Sequence, residues 1–227
     1  MMILITGSSR NLGAFIAKRL AKEGHDVIIH AYKAQKEAQQ VALECKSLGV
    51  KAEVFMGDLF NIDAFLEAFA KKGFEVKGLV NNVGLYLHNA PSHFSDSLKW
   101  LLPVNLLAPI ALTEALLPSI KKHKGSIVNL GCAGLHHVWT RACAYGLTKQ
   151  ALLHYSQSLA KQMAPYNVTV NMVSPGHLPY SSDLPDKLPM NKPVEENEIA
   201  SLIAYLFSQS ACSITGQNIE VAGAVSL

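Results

Sequence analysis

Short apolar runs alternate along the chain with longer stretches in which apolar positions recur at helical spacing. The runs near residues 2–6, 26–31, 51–55, 78–81, 126–130, 168–173 and 218–222 predict seven strands separated by helices. Gly78-Leu-Val-Asn81 and Ser126-Ile-Val-Asn-Leu130 are almost continuously apolar rather than alternating. A strand needs that pattern when both of its faces are covered, so these two belong near the middle of a sheet. The alternation predicts an α/β fold of the Rossmann type: a doubly wound, mainly parallel seven-stranded sheet with helices on both faces. Ligands of such sheets bind beyond the carboxyl ends of the strands, here the segments beginning at Gly7, His30, Asp58, Asn82, Gly131 and Pro175.

With 227 residues the economical reading is one domain over 1–227. Pro175, Pro179, Pro185, Pro189 and Pro193 crowd one stretch, which reads as an ordered loop or lid over 177–193. Hydrophobic residues are 49% of the chain and charged ones 16%, enough for a large core and too few charges for a disordered tail. The formal charge of +3 is scattered apart from Lys121, Lys122 and Lys124, which argues against a nucleic-acid partner. No uninterrupted apolar run approaches about 18 residues, and Met1-Met-Ile-Leu-Ile-Thr6 leads straight into a glycine turn, so neither a membrane span nor a signal peptide is expected. Cys45, Cys132, Cys143 and Cys212 form no CxxC pair; no metal site is expected, and reduced thiols in a cytoplasmic setting fit them.

Two segments carry candidate chemistry. Thr6-Gly-Ser-Ser-Arg-Asn-Leu-Gly13 joins the first strand to an amphipathic segment from Ala14 to Glu23. Such a turn brings backbone N–H groups and a helix dipole up to a pyrophosphate, although glycine turns also serve as plain connectors. Tyr145-Gly-Leu-Thr-Lys149 puts a phenol and an ammonium on one helix face at i, i+4. A phenol of ordinary pKa about 10 works near neutrality only in a positive field, which the ammonium provides.

Taken in order, Thr6, Gly7 and Gly13, then Gly57-Asp58-Leu59, Asn81-Asn-Val-Gly84, Asn105, Tyr145 with Lys149, and Ser174-Pro-Gly176 resemble the motifs of the short-chain dehydrogenase/reductase family, with likeness to its 3-oxoacyl-[acyl-carrier-protein] reductases. The resemblance covers Thr6 to Gly223. It implies that Tyr145 protonates a carbonyl oxygen as hydride arrives from a nicotinamide, that Lys149 holds the nicotinamide ribose, and that Asn105 positions a proton relay. Cys132 stands where the family has a serine that hydrogen-bonds the substrate carbonyl; a thiol is the weaker donor, so a handicapped rate is expected. Cofactor contacts are implied for Gly7, Ser9, Arg10, Asn11, Leu12, Gly13, Tyr32, Lys33, Asp58, Leu59, Asn82, Gly84, Tyr145, Lys149, Pro175 and Gly176.

Asn11 replaces a family glycine and is among the few residues that tolerate left-handed backbone. No carboxylate follows His30-Ala-Tyr-Lys33 until Glu37, so Arg10 and Lys33 can clamp a 2′-phosphate, which selects NADPH; both are otherwise ordinary surface cations. Tyr180 stands where the family has a threonine, with Ser181 or Ser182 as candidate replacements for its hydroxyl. The expected activity is NADPH-dependent reduction of a carbonyl, with a 3-oxoacyl thioester as one substrate class. The lysine cluster at 121–124 then offers a docking patch for an acidic carrier protein. Pteridine reductase-like chemistry and a catalytically impaired dinucleotide-binding regulator are the alternatives. The family also implies a homodimer or homotetramer.

Overall fold

The computed structural model describes residues 1–87, 94–138, 140 and 142–227. Its strands are β1 (Met2–Ile5), β2 (Asp26–Ala31), β3 (Ala52–Met56), β4 (Val76–Asn81), β5 (Ser126–Leu130), β6 (Thr169–Pro175) and β7 (Asn218–Val221). They form one sheet in the order β3-β2-β1-β4-β5-β6-β7. Every pairing is parallel, so the expectation of a mainly parallel sheet is sharpened to an all-parallel one.

The helices are α1 (Asn11–Lys22), α2 (Gln35–Ser47), α3 (Ile62–Ala70), α4 (Phe94–Leu102), α5 (Ala108–Lys122), α6 (Cys143–Met163) and α7 (Glu196–Leu206). Strand periodicity explains the two cores. Ile3 and Ile5 of β1 face α1, α2 and α7, whereas Met2 and Leu4 face the layer of α3, α5 and α6. Because both faces are covered, all four residues of β1 are buried, and the apolar run has no polar alternate.

β1 lies between β2 and β4, so the connections leaving β1 and β4 diverge to opposite faces and open a crevice at the carboxyl edge. Two expectations about that edge need correction. His30 lies inside β2, and Pro175 is the last residue of β6.

α4 runs into α5 through one π-helical turn, Pro103–Leu107, in which the Ala108 N–H bonds to the Pro103 carbonyl. The combined run Phe94–Lys122 is by length and composition apolar enough to cross a membrane. Counting uninterrupted apolar residues misses it because Asn105 and Glu114 break the run. Here Leu101, Val104, Ala108, Leu112, Leu116 and Ile120 of that run are buried in the fold.

The proline-rich segment after β6 is a loop closed at its base, where the Val194 N–H donates to the His177 carbonyl at 2.9 Å. Within it Leu178–Ser181 forms a tight turn: Ser181 N–H donates to Leu178 O at 2.9 Å and Leu178 N–H to Ser181 Oγ at 2.9 Å.

Candidate active site

The glycine turn is shaped by contacts that leave no room for larger residues. Gly7 has φ +62°, and a Cβ there would lie 2.6 Å from Val83 Cγ2; a Cβ on Gly13 would lie 2.2 Å from the Gly7 carbonyl oxygen. Asn11 adopts φ +49°, the left-handed geometry its position demands. Thr6 Oγ1 accepts from the N–H groups of Asn82 and Val83 at 2.9 and 3.1 Å, and Asn82 Nδ2 donates to Thr6 O at 2.9 Å. These bonds rivet the turn after β1 to the one after β4 across the crevice.

His30, given no role from the sequence, is a second rivet. Its Nδ1 accepts from the Gly7 N–H at 3.0 Å while Nε2 lies 3.1 Å from the Gly57 carbonyl, which fixes the neutral Nε2–H tautomer. Burial holds its pKa below the ordinary histidine value, in keeping with that neutral form. The only local sign of it was a histidine inside an apolar strand.

A groove of 760 Å³ starts at this turn and is lined by Gly7, Ser9, Arg10, Asn11, Leu12, Gly13, Tyr32, Lys33, Asp58, Leu59, Asn82 and Gly84. Every one of these is a position the sequence had assigned to a dinucleotide. Glu37 also lines it, so the cations Arg10 and Lys33 share the groove with two carboxylates, Glu37 and Asp58. Lys33 Nζ sits 4.8 Å from the Tyr32 ring centroid. Asp58 caps its own turn by accepting from the Phe60 N–H at 2.9 Å.

A second cavity of 820 Å³ adjoins the first and is lined by Tyr145, Lys149, Cys132, Asn82, Gly84, Pro175 and Gly176. Tyr145 and Lys149 project from the first turns of α6, with the ammonium 5.8 Å from the phenol ring centroid. Lys149 Nζ donates to the Leu130 carbonyl at the end of β5 at 2.8 Å. Burial draws its pKa down to about 8. Burial, followed by the nearby Cys132, raises Tyr145 well above the ordinary tyrosine value, which corrects the expectation of a phenol sensitised by the ammonium: the hydroxyl keeps its proton at neutral pH and can serve as a donor.

Asn105 lies in neither cavity. Fully buried on the π-helical turn, it accepts from the Leu85 N–H at 2.7 Å and donates to the Leu85 carbonyl at 2.9 Å and to Thr148 Oγ1 at 3.2 Å. The side chain therefore holds the segment after β4 against α6. Asn81, a neighbour of the assigned Asn82, donates to Asn129 Oδ1 at 2.8 Å inside the core, which gives it a structural part.

Cys132 is buried, with its pKa pushed up to about 11 by that burial, and its thiol is hydrogen-bonded with the Tyr145 hydroxyl. A thiol so held stays protonated, contrary to what a nucleophile needs. Glu220, read only as part of a structural strand, accepts from the Gly134 N–H at 3.0 Å and from the Ser226 hydroxyl, and so braces the loop that follows Cys132.

The proline-rich loop after β6 contributes contacts that the sequence did not assign. Ser181 is spent on its own turn, and the hydroxyl that reaches the glycine turn belongs to Tyr180 itself: Leu12 N–H, in the first turn of α1, donates to Tyr180 Oη at 3.1 Å. Leu12, Asn82, Gly84, Leu178 and Tyr180 line both cavities, so this contact sits where they meet. On the substrate side, Tyr86 Oη donates to Asp183 Oδ2 at 2.8 Å, and the Tyr86 ring stands edge-on to Tyr145 with centroids 4.9 Å apart.

The lysine cluster does not join the site. It follows from α5 into the start of β5, at the amino edge of the sheet. Lys121 Nζ lies 3.4 Å from the Tyr166 ring centroid and Lys122 pairs with Glu75 at 2.9 Å. A carrier docked there would face the wrong end of the strands, which removes the sequence argument for that patch.

A switch-point crevice, a glycine turn opening α1 and a Tyr-Lys pair on one helix define a dinucleotide-dependent oxidoreductase. Residues 1–186 match the short chain dehydrogenase family, and the chain belongs to it. It is 33% identical to the 3-oxoacyl-[acyl-carrier-protein] reductase FabG of Aquifex aeolicus, over 97% of this chain and 95% of that protein. Among solved structures it resembles the landomycin C-6 ketoreductase LanV with bound NADP and rabelomycin (27% identity, TM-score 0.89, 99% of this chain and 96% of that one). It also resembles a 3-oxoacyl-[acyl-carrier protein] reductase with bound NAD from Brucella melitensis (25% identity, TM-score 0.90, 99% and 90%). The family binds nicotinamide dinucleotides, and both NADP and NAD occur among these relatives.

Proposed function

We propose that this chain is an NADPH-dependent reductase that converts a carbonyl group to an alcohol, with Tyr145 as the proton donor. The observation that carries the proposal is the placement of Tyr145 and Lys149 on one wall of a cavity that opens directly onto the groove beside the glycine turn. The groove fits a dinucleotide: the Gly7 and Gly13 positions admit no Cβ, and Asn11, Leu12 and Gly13 of the first turn of α1, the helix end that favours a pyrophosphate, line it.

When bound, the cofactor supplies a hydride to the carbonyl carbon. Tyr145 gives its hydroxyl proton to the carbonyl oxygen, so the carbonyl gains a hydride and a proton and leaves as the alcohol. Lys149, charged below about pH 8, stabilises the phenolate that remains until water reprotonates it. Asn105 ties Leu85, which lines the groove, to Thr148 of α6, one residue before Lys149. Arg10 and Lys33, whose cations line the groove along with Glu37 and Asp58, would clamp a 2′-phosphate, which supports NADPH. Exposed Trp100, Leu107 and Leu147 offer apolar surface for pairing with further copies as a dimer or tetramer. The cytoplasmic setting rests on cysteine usage alone.

The test is oxidation of NADPH and NADH by the purified chain with acetoacetyl thioesters, dihydropterin and simple diketones, with the alcohol product identified by mass. NADPH-dependent turnover is expected on at least one class, at least tenfold better than with NADH. Tight cofactor binding without any turnover would instead favour a regulatory binding protein. In the same assay Cys132→Ser is expected to raise kcat several-fold, since a hydroxyl is the stronger donor and a full transition-state donor is worth on the order of 10²–10³ in rate. An unchanged rate would remove Cys132 from the chemistry.

Tyr180 gives a separate expectation. Its hydroxyl must leave the Leu12 N–H before a pyrophosphate can take that donor. Tyr180→Phe is therefore expected to tighten NADPH binding by roughly fivefold, the worth of one net hydrogen bond of about 1 kcal/mol. Titration of cofactor fluorescence measures it; weaker binding would mean that Tyr180 itself holds the phosphate.

A further inference from the structure

Building on the proposed carbonyl reduction, we infer that Asp183 determines substrate choice: its carboxylate, held over the cavity by Tyr86, accepts a hydrogen bond from a hydroxyl or N–H borne beside the reducible carbonyl. The preferred substrates are then neutral hydroxy-carbonyl or N–H-bearing carbonyl compounds, and keto acids are disfavoured.

Geometry places the carboxylate. Asp183 lines the same cavity as Tyr145, Cys132 and Lys149. Tyr86, whose ring abuts the Tyr145 ring, donates to Oδ2 at 2.8 Å, and His177 Nδ1 lies 3.5 Å from Oδ1. A carboxylate offers about four acceptor positions, so these contacts leave lone pairs available, and the side chain keeps 30% of its surface exposed. The bond from Tyr86 fixes where those lone pairs point. The charge of Asp183 is also felt at the Tyr145 hydroxyl, where it adds to the elevation caused mainly by burial.

Charge balance sets the sign of the preference. Among the described residues lining the cavity, the basic side chains are Lys149, His137 and His177. Lys149 keeps its charge but holds it beside the Tyr145 phenol, with Nζ donating to the Leu130 carbonyl, and the His137 Nε2 lies 2.9 Å from the Ser226 carbonyl. A substrate carboxylate entering beside Asp183 would meet like charge in a partly desolvated site, whereas a hydroxyl or amide N–H would find a charged acceptor. A carbonyl compound lacking any donor would leave that acceptor without the bond water had given it. The lid therefore reads the substituent while α6 handles the carbonyl.

Hydroxyacetone, butanone and pyruvate share an acetyl head and differ at one position by a hydroxymethyl, an ethyl and a carboxylate group. With NADPH, kcat/KM for the three is compared in the native chain, Asp183→Asn, Asp183→Leu and Tyr86→Phe. Intrinsic carbonyl reactivity cancels when the hydroxyacetone-to-butanone ratio is compared between variants. That ratio is expected to fall at least tenfold in Asp183→Leu and less in Tyr86→Phe, and pyruvate turnover is expected to rise in Asp183→Asn. Saturation-transfer NMR on the chain without cofactor supplies a second readout, with hydroxyacetone binding weakened by Asp183→Leu and butanone binding unaffected. Ratios that stay within twofold across the variants, with unchanged NMR binding, would overturn the inference. Absence of turnover on all three ketones would count against the proposed reduction, while the NMR comparison would still decide the role of Asp183.

Discussion

Lys149→Met is expected to destroy turnover and to stabilise the fold at the same time. The ammonium is 3% exposed, and burial has drawn its pKa from 10.5 to about 8. A shift of that size costs the folded state on the order of 3 kcal/mol while the lysine is charged. Methionine fills a similar volume without the charge, and losing the bond to the Leu130 carbonyl returns about 1 kcal/mol of the gain. A net gain of about 2 kcal/mol raises the melting temperature by several degrees at pH 7.

The sign follows from proton linkage. Between about pH 8 and the unfolded value of 10.5 the unfolded chain binds more protons than the folded one, so native stability rises through that window. The advantage of the methionine variant is therefore full below pH 8 and shrinks above it. Thermal melts of both proteins from pH 7 to 10 check this, and a variant less stable at every pH would refute it. In activity, removing the ammonium that stands beside the phenol withdraws the charge that stabilises the phenolate, and kcat is expected to fall about 10³-fold. A residue that costs stability and is indispensable to rate is the pattern of a functional site.

Much of this arrangement was legible in the sequence because it is written locally. Both-face burial makes strands continuously apolar, and all seven expected strands lie within two residues of the observed ones. An i, i+4 pair such as Tyr145 and Lys149 shares a helix face by geometry alone. The left-handed Asn11 follows from the same kind of local rule.

What was not legible joins residues far apart in the chain. Tyr180 meets Leu12 across 168 positions and Tyr86 meets Asp183 across 97, and no periodicity encodes either meeting. The sequence offered Ser181 or Ser182 as the lid hydroxyl because motif position identifies a residue without its direction; the turn at Leu178–Ser181 turned Ser181 inward. The lysines at 121–124 failed differently, since their cluster is real but the parallel topology puts the end of α5 at the opposite edge from the site.

Tyr145→Phe carries the second large effect, and it isolates the claim on which the mechanism depends. Phenylalanine keeps the ring against Tyr86 and removes one oxygen, which in the native chain is hydrogen-bonded with the Cys132 thiol. The groove proposed for the dinucleotide is lined by other residues, so NADPH affinity is expected to stay within twofold. Without the general acid, hydride transfer would have to make a bare alkoxide in a buried site, and the chemical step is expected to slow by about 10³-fold, within the 10²–10⁴ such groups supply. The decisive measurement is the single-turnover rate of NADPH oxidation by the native chain and by Tyr145→Phe, each saturated with the best ketone. A loss of about 10³ with unchanged cofactor affinity is the expected result; equal rates in the two proteins would contradict proton donation by Tyr145.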